Sequence, residues 1–212
     1  LAHLAAGTRS FDINMPKEVN RLVIDGLSDI LFTAGMSNNS IANREGAELS
    51  KVYMVGNILI DNIRADRGRF VRPAVLDRLG IDDHSYLVFT LNRKALIANT
   101  DNLQRMLQAL VTAAGSTPII APLRGIARET VMALLPTLPT HLHLIDPLGY
   151  LEFGYLSLHA KGIITDSGNV AEEATFNSVP CITLNSYTEH IETVKVGSNV
   201  LVGEDAKALA IY

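Results

Sequence analysis

The sequence is short of several things, and each shortage removes a class of protein. Of 212 residues only Cys181 is a cysteine. No internal disulfide can form, which excludes a disulfide-stapled scaffold and makes a reducing cytoplasm the default compartment. Cys181 lies in the apolar run "VPCITL", where a buried thiol is expected rather than a nucleophile. No apolar run approaches the ~20 residues that span a bilayer. Residues 1–10, LAHLAAGTRS, lack the basic start and long apolar centre of a signal peptide. There is no long basic block either. The formal charge is −4, and the cluster Arg64, Arg67, Arg69, Arg72 and Arg78 is interrupted by Asp61, Asp66 and Asp77. It reads as a solvated surface, and nucleic acid is not an expected partner. His84, His141 and His143 have no metal-ligand spacing with the cysteine or with a carboxylate cluster. GxSxG, P-loop and HExxH patterns are missing, so neither a metal nor a cofactor is expected. Internal repeats and low-complexity segments are absent.

What is present is an ordinary globular composition, 48% apolar and 19% charged. The length allows one sizeable core or two small ones. Short apolar runs alternate with helical patterns. "YLVFTL" (86–91) precedes "NLQRMLQALVTAA" (102–114), where Leu103, Met106, Leu107, Leu110 and Val111 share one helical face. "TPIIAPL" (117–123) precedes "RETVMALLPTL" (128–138), and "HLHLI" (141–145) precedes "LEFGYLSLHA" (151–160). "GIIT" (162–165) precedes "VAEEATFNS" (170–178), and "CITL" (181–184) and "NVLV" (199–202) complete the strands. Near-continuous apolar strands alternating with helices predict an α/β fold with a parallel sheet buried on both faces.

The first third predicts a second such unit in part. Residues 1–7 read as the end of a strand. Val19, Leu22, Val23, Leu27 and Ile30 have helical spacing, "KVYMVG" (51–56) is a strand, and 57–81 runs helically into a proline-interrupted linker. A unit that starts mid-strand exposes an unpaired edge. The expectation is therefore a piece of a longer protein, with the end of one Rossmann-like domain at 1–57 and a second at 58–212.

The stretch "GIITDSGNVAEEA" (162–174) carries the main chemical signal. Open α/β sheets bind ligands beyond the carboxyl ends of their strands, and 165–169 lies there. Gly168 allows close backbone approach and unusual φ, Ser167 or Asn169 can cap the following helix, and its first amides can hold a diphosphate. Glu172 or Glu173, one turn in, can accept from a ribose diol. A plain N-cap with two early glutamates explains the same residues, and spacing alone leaves both readings open. Of the histidines, His3 reads as a packed strand-end residue, His143 as a buried or edge residue, and His159 as a cation at a helix end. "YTEHIETVKVGSNVLVG" (187–203) reads as a polar loop before a strand.

Taken in order, six stretches resemble the non-hydrolysing UDP-N-acetylglucosamine 2-epimerases: "AHLAAGTRSFDINMPKEVNRL" (2–22), "VYMVGNILID" (52–61), "DPLGYLEF" (146–153), "TDSGNVAEEA" (165–174), "VPCITL" (179–184) and "TEHIETVKVGSNVLVG" (188–203). The resemblance covers essentially the whole chain. It implies two Rossmann-like domains in the GT-B arrangement, a homodimer, and missing upstream residues. It also implies a UDP-sugar ligand whose C2 configuration is inverted by elimination of UDP to a glycal and re-addition.

Role by role, the resemblance keeps the nucleotide side. Ser167 and Gly168 match the diphosphate loop, Glu173 the ribose-binding acid, and Arg93 the arginine after the catalytic-loop histidine. The chemical side departs. Ala5 stands where H-x-E-A-G has a glutamate, and Lys17 where M-P-E-E has one, leaving the neighbouring Glu18. Asn92 replaces the histidine and Ala95 the glutamate of L-H-R-x-E. Arg124 replaces the P-V-H-P histidine, Asn169 the second glycine of S-G-G, Ala171 the glutamine after it, and His190-Ile191 the R-P of T-E-R-P-E. Alanine and asparagine cannot act as acid or base near pH 7, and lysine is cationic there unless strongly desolvated. Three expectations follow: an epimerase with altered site residues, a non-catalytic nucleotide-sugar-binding partner subunit, or a different reaction using Lys17, Arg124 or His190.

Overall fold

A computed structural model of the protein describes residues 1–212, and the chain separates into the units Leu1–Ala65 and Asp66–Tyr212. The first unit holds three parallel strands, β1 (Ala2–Ala6), β2 (Ile30–Thr33) and β3 (Val52–Met54), in the order β1-β2-β3. Helix α1 (Pro16–Leu27) connects β1 to β2, α2 (Met36–Arg44) connects β2 to β3, and α3 (Ile58–Asp66) follows. All but the last residue of α3 thus falls within the first unit. The strand expected at the start is β1. Gly7 ends it at φ +70, where a Cβ would stand 2.2 Å from the Asn38 carbonyl oxygen. Only glycine fits that approach.

The helical spacing read through Ile30 stops earlier. Ser28 leaves α1 with extended φ/ψ, and its hydroxyl donates back to the Ile24 carbonyl at 2.7 Å. "ILFT" then becomes β2. Neither β2 nor α2 is foreseen by periodicity, because α2 buries only Ala42. Helix α1 also turns the other way. Val19, Leu22, Val23 and Leu27 are 37–71% exposed, while Glu18 and Asp25 are buried. Charge pairing explains the inversion. Arg9, 4% exposed, donates to Asp25 at 2.6 Å and to Glu45 at 2.5 Å, and Gly7 N donates to Asp25 at 3.0 Å. The His3 ring pairs with the same Asp25 carboxylate. A buried guanidinium must be matched by carboxylates, and α1 supplies one of them from its inner face.

The second unit is a six-stranded parallel sheet of β4 (Leu87–Phe89), β5 (Ile119–Pro122), β6 (Leu142–Ile145), β7 (Gly162–Thr165), β8 (Cys181–Thr183) and β9 (Asn199–Leu201). Their order is β6-β5-β4-β7-β8-β9. The strand pattern explains why both faces are dry. Phe89, Ile119 and Ile164 pack on one side, with Leu103, Met106, Leu107 and Leu110 from α6 (Thr100–Ala114). Their chain neighbours Val88, Ile120 and Ile163 pack on the other, with Tyr86, Leu156 and Ala174. Side chains two apart share a face, and near-continuous apolar runs fill both. Cys181 is 2% exposed, and burial pushes its thiol up to about 12, so it is inert as expected.

The remaining helices are α4 (Ala74–Leu79), α5 (Lys94–Ala98), α7 (Gly125–Leu134), α8 (Tyr150–Leu158), α9 (Gly168–Phe176), α10 (Ile191–Lys195) and α11 (Ala206–Leu209). Helix α7 begins three residues before the expected start. Helix α10 replaces the polar loop expected at 187–198, because Thr193 turns back to donate from both N and Oγ1 to the His190 carbonyl, at 3.0 and 2.8 Å. No helix is long and apolar enough to cross a membrane.

The chain enters this sheet at β4, moves outward to β6, and returns to β7 on the other side of β4. The crossover direction therefore reverses between β4 and β7, the place where open α/β sheets leave a crevice at the strand ends. Leu156, 0% exposed, anchors one face of that sheet. Leu156→Ala is expected to lower the unfolding free energy of this unit by about 2–5 kcal/mol, read as a shift of the urea midpoint.

Candidate functional site

The carboxyl ends of β4 and β7 are tied together by polar groups. Thr90 Oγ1 and Thr165 Oγ1 bond at 2.6 Å, and Thr165 Oγ1 also accepts from Ser167 N at 3.0 Å. Asp166, 4% exposed, accepts on Oδ2 from the backbone amides of Asn92 and Arg93 at 2.7 and 2.6 Å. Its other oxygen, Oδ1, is buried without a partner. Burial pushes this carboxyl above the usual range, against the pull of the two amides. Asn185, just beyond β8, links the assembly. Its Nδ2 donates to the Asp166 carbonyl at 3.3 Å, and its Oδ1 accepts from the Arg93 guanidinium. Glu204 approaches the same guanidinium at 3.7 Å.

Helix α9 starts at this junction. Ser167, with extended φ/ψ, is the N-cap, and its Oγ accepts from Val170 N at 3.5 Å. The first-turn amides of a helix have no intrahelical carbonyl to reach, and they sit at the positive end of the helix dipole. Gly168 does not need the unusual φ expected of it, since it is absent from the positive-φ residues. It matters because it is small. A Cβ there would stand 2.8 Å from Cδ2 and 3.1 Å from Nε2 of His190. Asn169 follows in the first turn and is exposed. One turn in, burial and then the neighbouring Glu172 push the Glu173 carboxyl up to about 7.

Arg93, Ser167, Gly168, Asn169 and Glu173 therefore all lie around the β4/β7 switch point, with Asn92 exposed at its rim. Arg124, the N-cap of α7, stands beyond β5. Lys17 and Glu18 belong to the first unit. Lys17 is exposed near the start of α1. Glu18 is 2% exposed and clamps the preceding loop. Its oxygens accept from Ser10 N and Ser10 Oγ, both at 3.0 Å, and from Phe11 N at 2.9 Å. Its carboxyl is held below the usual range, those bonds outweighing its burial. Ala5 interrupts β1 at a bulge, with φ 60. Sequence reasoning missed Asp166, Asn185 and the seat of His190. The available signal was their position immediately after parallel strands or beside the loop, where ligand-side residues collect.

A family model described as UDP-N-acetylglucosamine 2-epimerase matches residues 1–211. The chain belongs to this family. A UDP-N-acetylglucosamine 2-epimerase of Methanocaldococcus jannaschii is 38% identical over 99% of this chain and 60% of the relative. The UDP-2,3-diacetamido-2,3-dideoxy-D-glucuronate 2-epimerase of Pseudomonas aeruginosa is 35% identical over 96% of this chain and 56% of its own length. Among solved structures, the Neisseria meningitidis UDP-GlcNAc 2-epimerase bound to UDP-GlcNAc has a TM-score of 0.88 at 25% identity, covering 99% of this chain and 59% of that one. The Methanocaldococcus jannaschii enzyme in complex with UDP-GlcNAc and UDP has a TM-score of 0.81 at 33% identity, covering 99% and 60%. The epimerase-family chain described here thus spans about 60% of the length of these relatives. Its fold is the expected α/β, Rossmann-like fold of GT-B type.

Glu173 gives a pH test. Its folded value, about 7, lies above the ordinary 4.5. Between those values the folded state binds more protons than the unfolded one, so stability falls as pH rises toward 7 and stays reduced above it. Glu173→Gln removes the buried charge. The variant is expected to be more stable than the parent at pH 8, by up to about 3 kcal/mol, and equal to it near pH 4, measured by urea unfolding at the two pH values.

Proposed function

We propose that the second unit holds uridine diphosphate, with the diphosphate on the first-turn amides of α9 and the ribose diol on Glu173, beside Arg93. One observation carries this reading: at the switch point a Ser167-capped helix end and a mostly buried acid one turn further in stand together. Backbone amides and a helix dipole suit a leaving diphosphate. A carboxylate kept out of water suits a pair of hydroxyls, which solvate it as they displace water. Solved relatives hold UDP-GlcNAc and UDP, which supports a nucleotide sugar as the ligand class.

The chemistry proposed for the whole protein is that of the family: interconversion of UDP-N-acetylglucosamine and UDP-N-acetylmannosamine by loss and re-addition of UDP. A base must take the C2 proton, and an acid must serve the opposite face. In this chain the groups at those positions are replaced. Ala5 has no acid or base to offer. Asn92 has no group that ionises near neutrality. Glu18 spends its oxygens on Ser10 and Phe11. Losing one acid–base group costs typically about 10²–10⁴ in rate. The engaged Glu18 favours a second reading, a catalytically silent nucleotide-sugar-binding or partner-subunit homologue. Two copies pair in either version, which sedimentation of the purified protein checks.

Two experiments separate the parts. Calorimetric titration with UDP is expected to give saturable heat, abolished by Glu173→Ala. The absence of heat or thermal shift at millimolar UDP removes the nucleotide reading. In the full-length protein, coupled detection of UDP-N-acetylmannosamine is expected to find little or no turnover. The triple change Ala5→Glu, Lys17→Glu and Asn92→His is expected to raise it. Full activity without those changes sinks the replacement of catalytic groups, and no gain with them points to the silent homologue.

A further inference from the structure

Helix α8 carries a glycine at its centre, and glycine is a poor helix former. What lies on the helix explains it. Gly154 is buried, and a Cβ there would stand 2.6 Å from both Cε1 and Cζ of Phe70 and 2.9 Å from its Cδ1. The Phe70 ring therefore rests on the helix backbone itself, an approach that any side chain at 154 would block. The same ring meets Tyr150, one turn earlier, edge to face, with centres 6.3 Å apart and planes at 83°. Two further contacts continue the seam. Val71 N donates to the Leu151 carbonyl at 3.2 Å, and the Arg72 guanidinium lies 5.9 Å from the centre of the Tyr155 ring. Residues 70–72 thus form a strap over two adjacent i, i+4 pairs of α8, 150/154 and 151/155. The far end of the strap is locked. Arg72 donates to Asp77, Asp83 and the Ile81 carbonyl at 2.8, 2.5 and 2.7 Å, and Asp83 also accepts from the Tyr155 hydroxyl at 2.8 Å.

The near end of the strap reaches the site through Tyr150. The Tyr150 hydroxyl is pushed above its ordinary range, by partial burial first and then by the charges of Asp66 and Glu173. The residue on which the Phe70 ring leans thus stands within electrostatic reach of the acid one turn into α9. Below it the two helices pack together, with Leu156 of α8 in one buried cluster with Ala171 and Ala174 of α9. A carboxyl flanked in this way is shielded only while the helix beside it stays in place. We propose that Phe70 is a positioning residue for the nucleoside side of the site: seated on Gly154, it holds the first turn of α8 against α9 and keeps water from the acid that meets the ribose. This rests on the reading that Glu173 holds the ribose diol. It adds to that reading a residue that touches no part of the ligand and acts through α8.

The test uses the whole chain and two ligands. UDP carries ribose and diphosphate, and inorganic diphosphate carries only the second. In calorimetry, Phe70→Ala is expected to weaken UDP by about 3- to 10-fold and to leave inorganic diphosphate unchanged. Carboxyl NMR is expected to find Glu173 titrating lower, moving from about 7 toward 4.5 as water reaches it. Phe70→Leu keeps an apolar side chain over the glycine and is expected to recover most of the affinity. Gly154→Ala is expected to mimic Phe70→Ala, because the new Cβ displaces the ring. The double variant is expected to bind no more weakly than Phe70→Ala alone, because the methyl then meets no ring. Circular dichroism checks that each variant is folded, and Phe70→Leu and Gly154→Ala carry the test if Phe70→Ala is not. A UDP affinity unchanged in the folded single variants overturns the proposal. Equal losses for the two ligands, or a Glu173 titration that does not move, overturn it as well. If the parent itself does not bind UDP, the nucleotide reading fails and takes this proposal with it.

Discussion

The carboxylate of Asp166 is the constraint on which the junction of β4 and β7 depends. It joins the ends of two strands that the topology has already placed side by side. By accepting from two consecutive amides it fixes the path of the chain through Asn92 and Arg93. Through its carbonyl and Asn185 it also fixes where the Arg93 guanidinium points. A buried carboxylate is costly unless hydrogen bonds satisfy it. One oxygen is satisfied and the other is not. The loop thus carries a local electrostatic debt at the spot where a polar ligand would arrive, which is a common property of binding sites and an uncommon one of packing cores.

The two units solve the burial of charge differently. In the second unit the strands are largely apolar on both faces, and the buried Thr90, Thr165, Asp166 and Thr183 lie at or just beyond strand ends. In the first unit a guanidinium sits inside, ringed by carboxylates, and a helix has turned its acids inward to reach it. Only Ala6, Leu31 and Ala42 form the buried apolar cluster there. The loop from Gly7 to Asp12 is shaped by ion pairs and by the Glu18 clamp rather than by hydrophobic contact. Residues that look available for proton transfer when read along the chain are committed to holding that loop.

This contrast decides what could be read from the sequence. Strands β4 to β9 and the buried face of α6 were legible because a long apolar period has few other uses. The same period misled in α1, where the apolar face is outside and the ionic face inside. Periodicity reports that a helix has two faces, not which one is buried. Strand β2 was hidden because "ILFT" continued the helical spacing of α1 for one more position. At the site, the end of α9 was legible from the order of Ser167, Gly168 and Glu173 after an apolar strand. Asp166 and Asn185 were not, since their partners are 73 to 92 residues distant or are main-chain groups. The approach of His190 to Gly168 was not legible either, since it depends on the missing Cβ.

Cys181 has a consequence of another kind. It is the single sulfhydryl of the molecule, and it lies on an inner strand, paired on either side with β7 and β9. Alkylating reagents can reach it only when that sheet opens, so its labelling rate in native buffer records the breathing of the strands that carry the Asp166 loop. Ligand that steadies those strands should slow the labelling by the same factor that it lowers the open population. The molecule therefore contains its own clock for local opening, with no added probe.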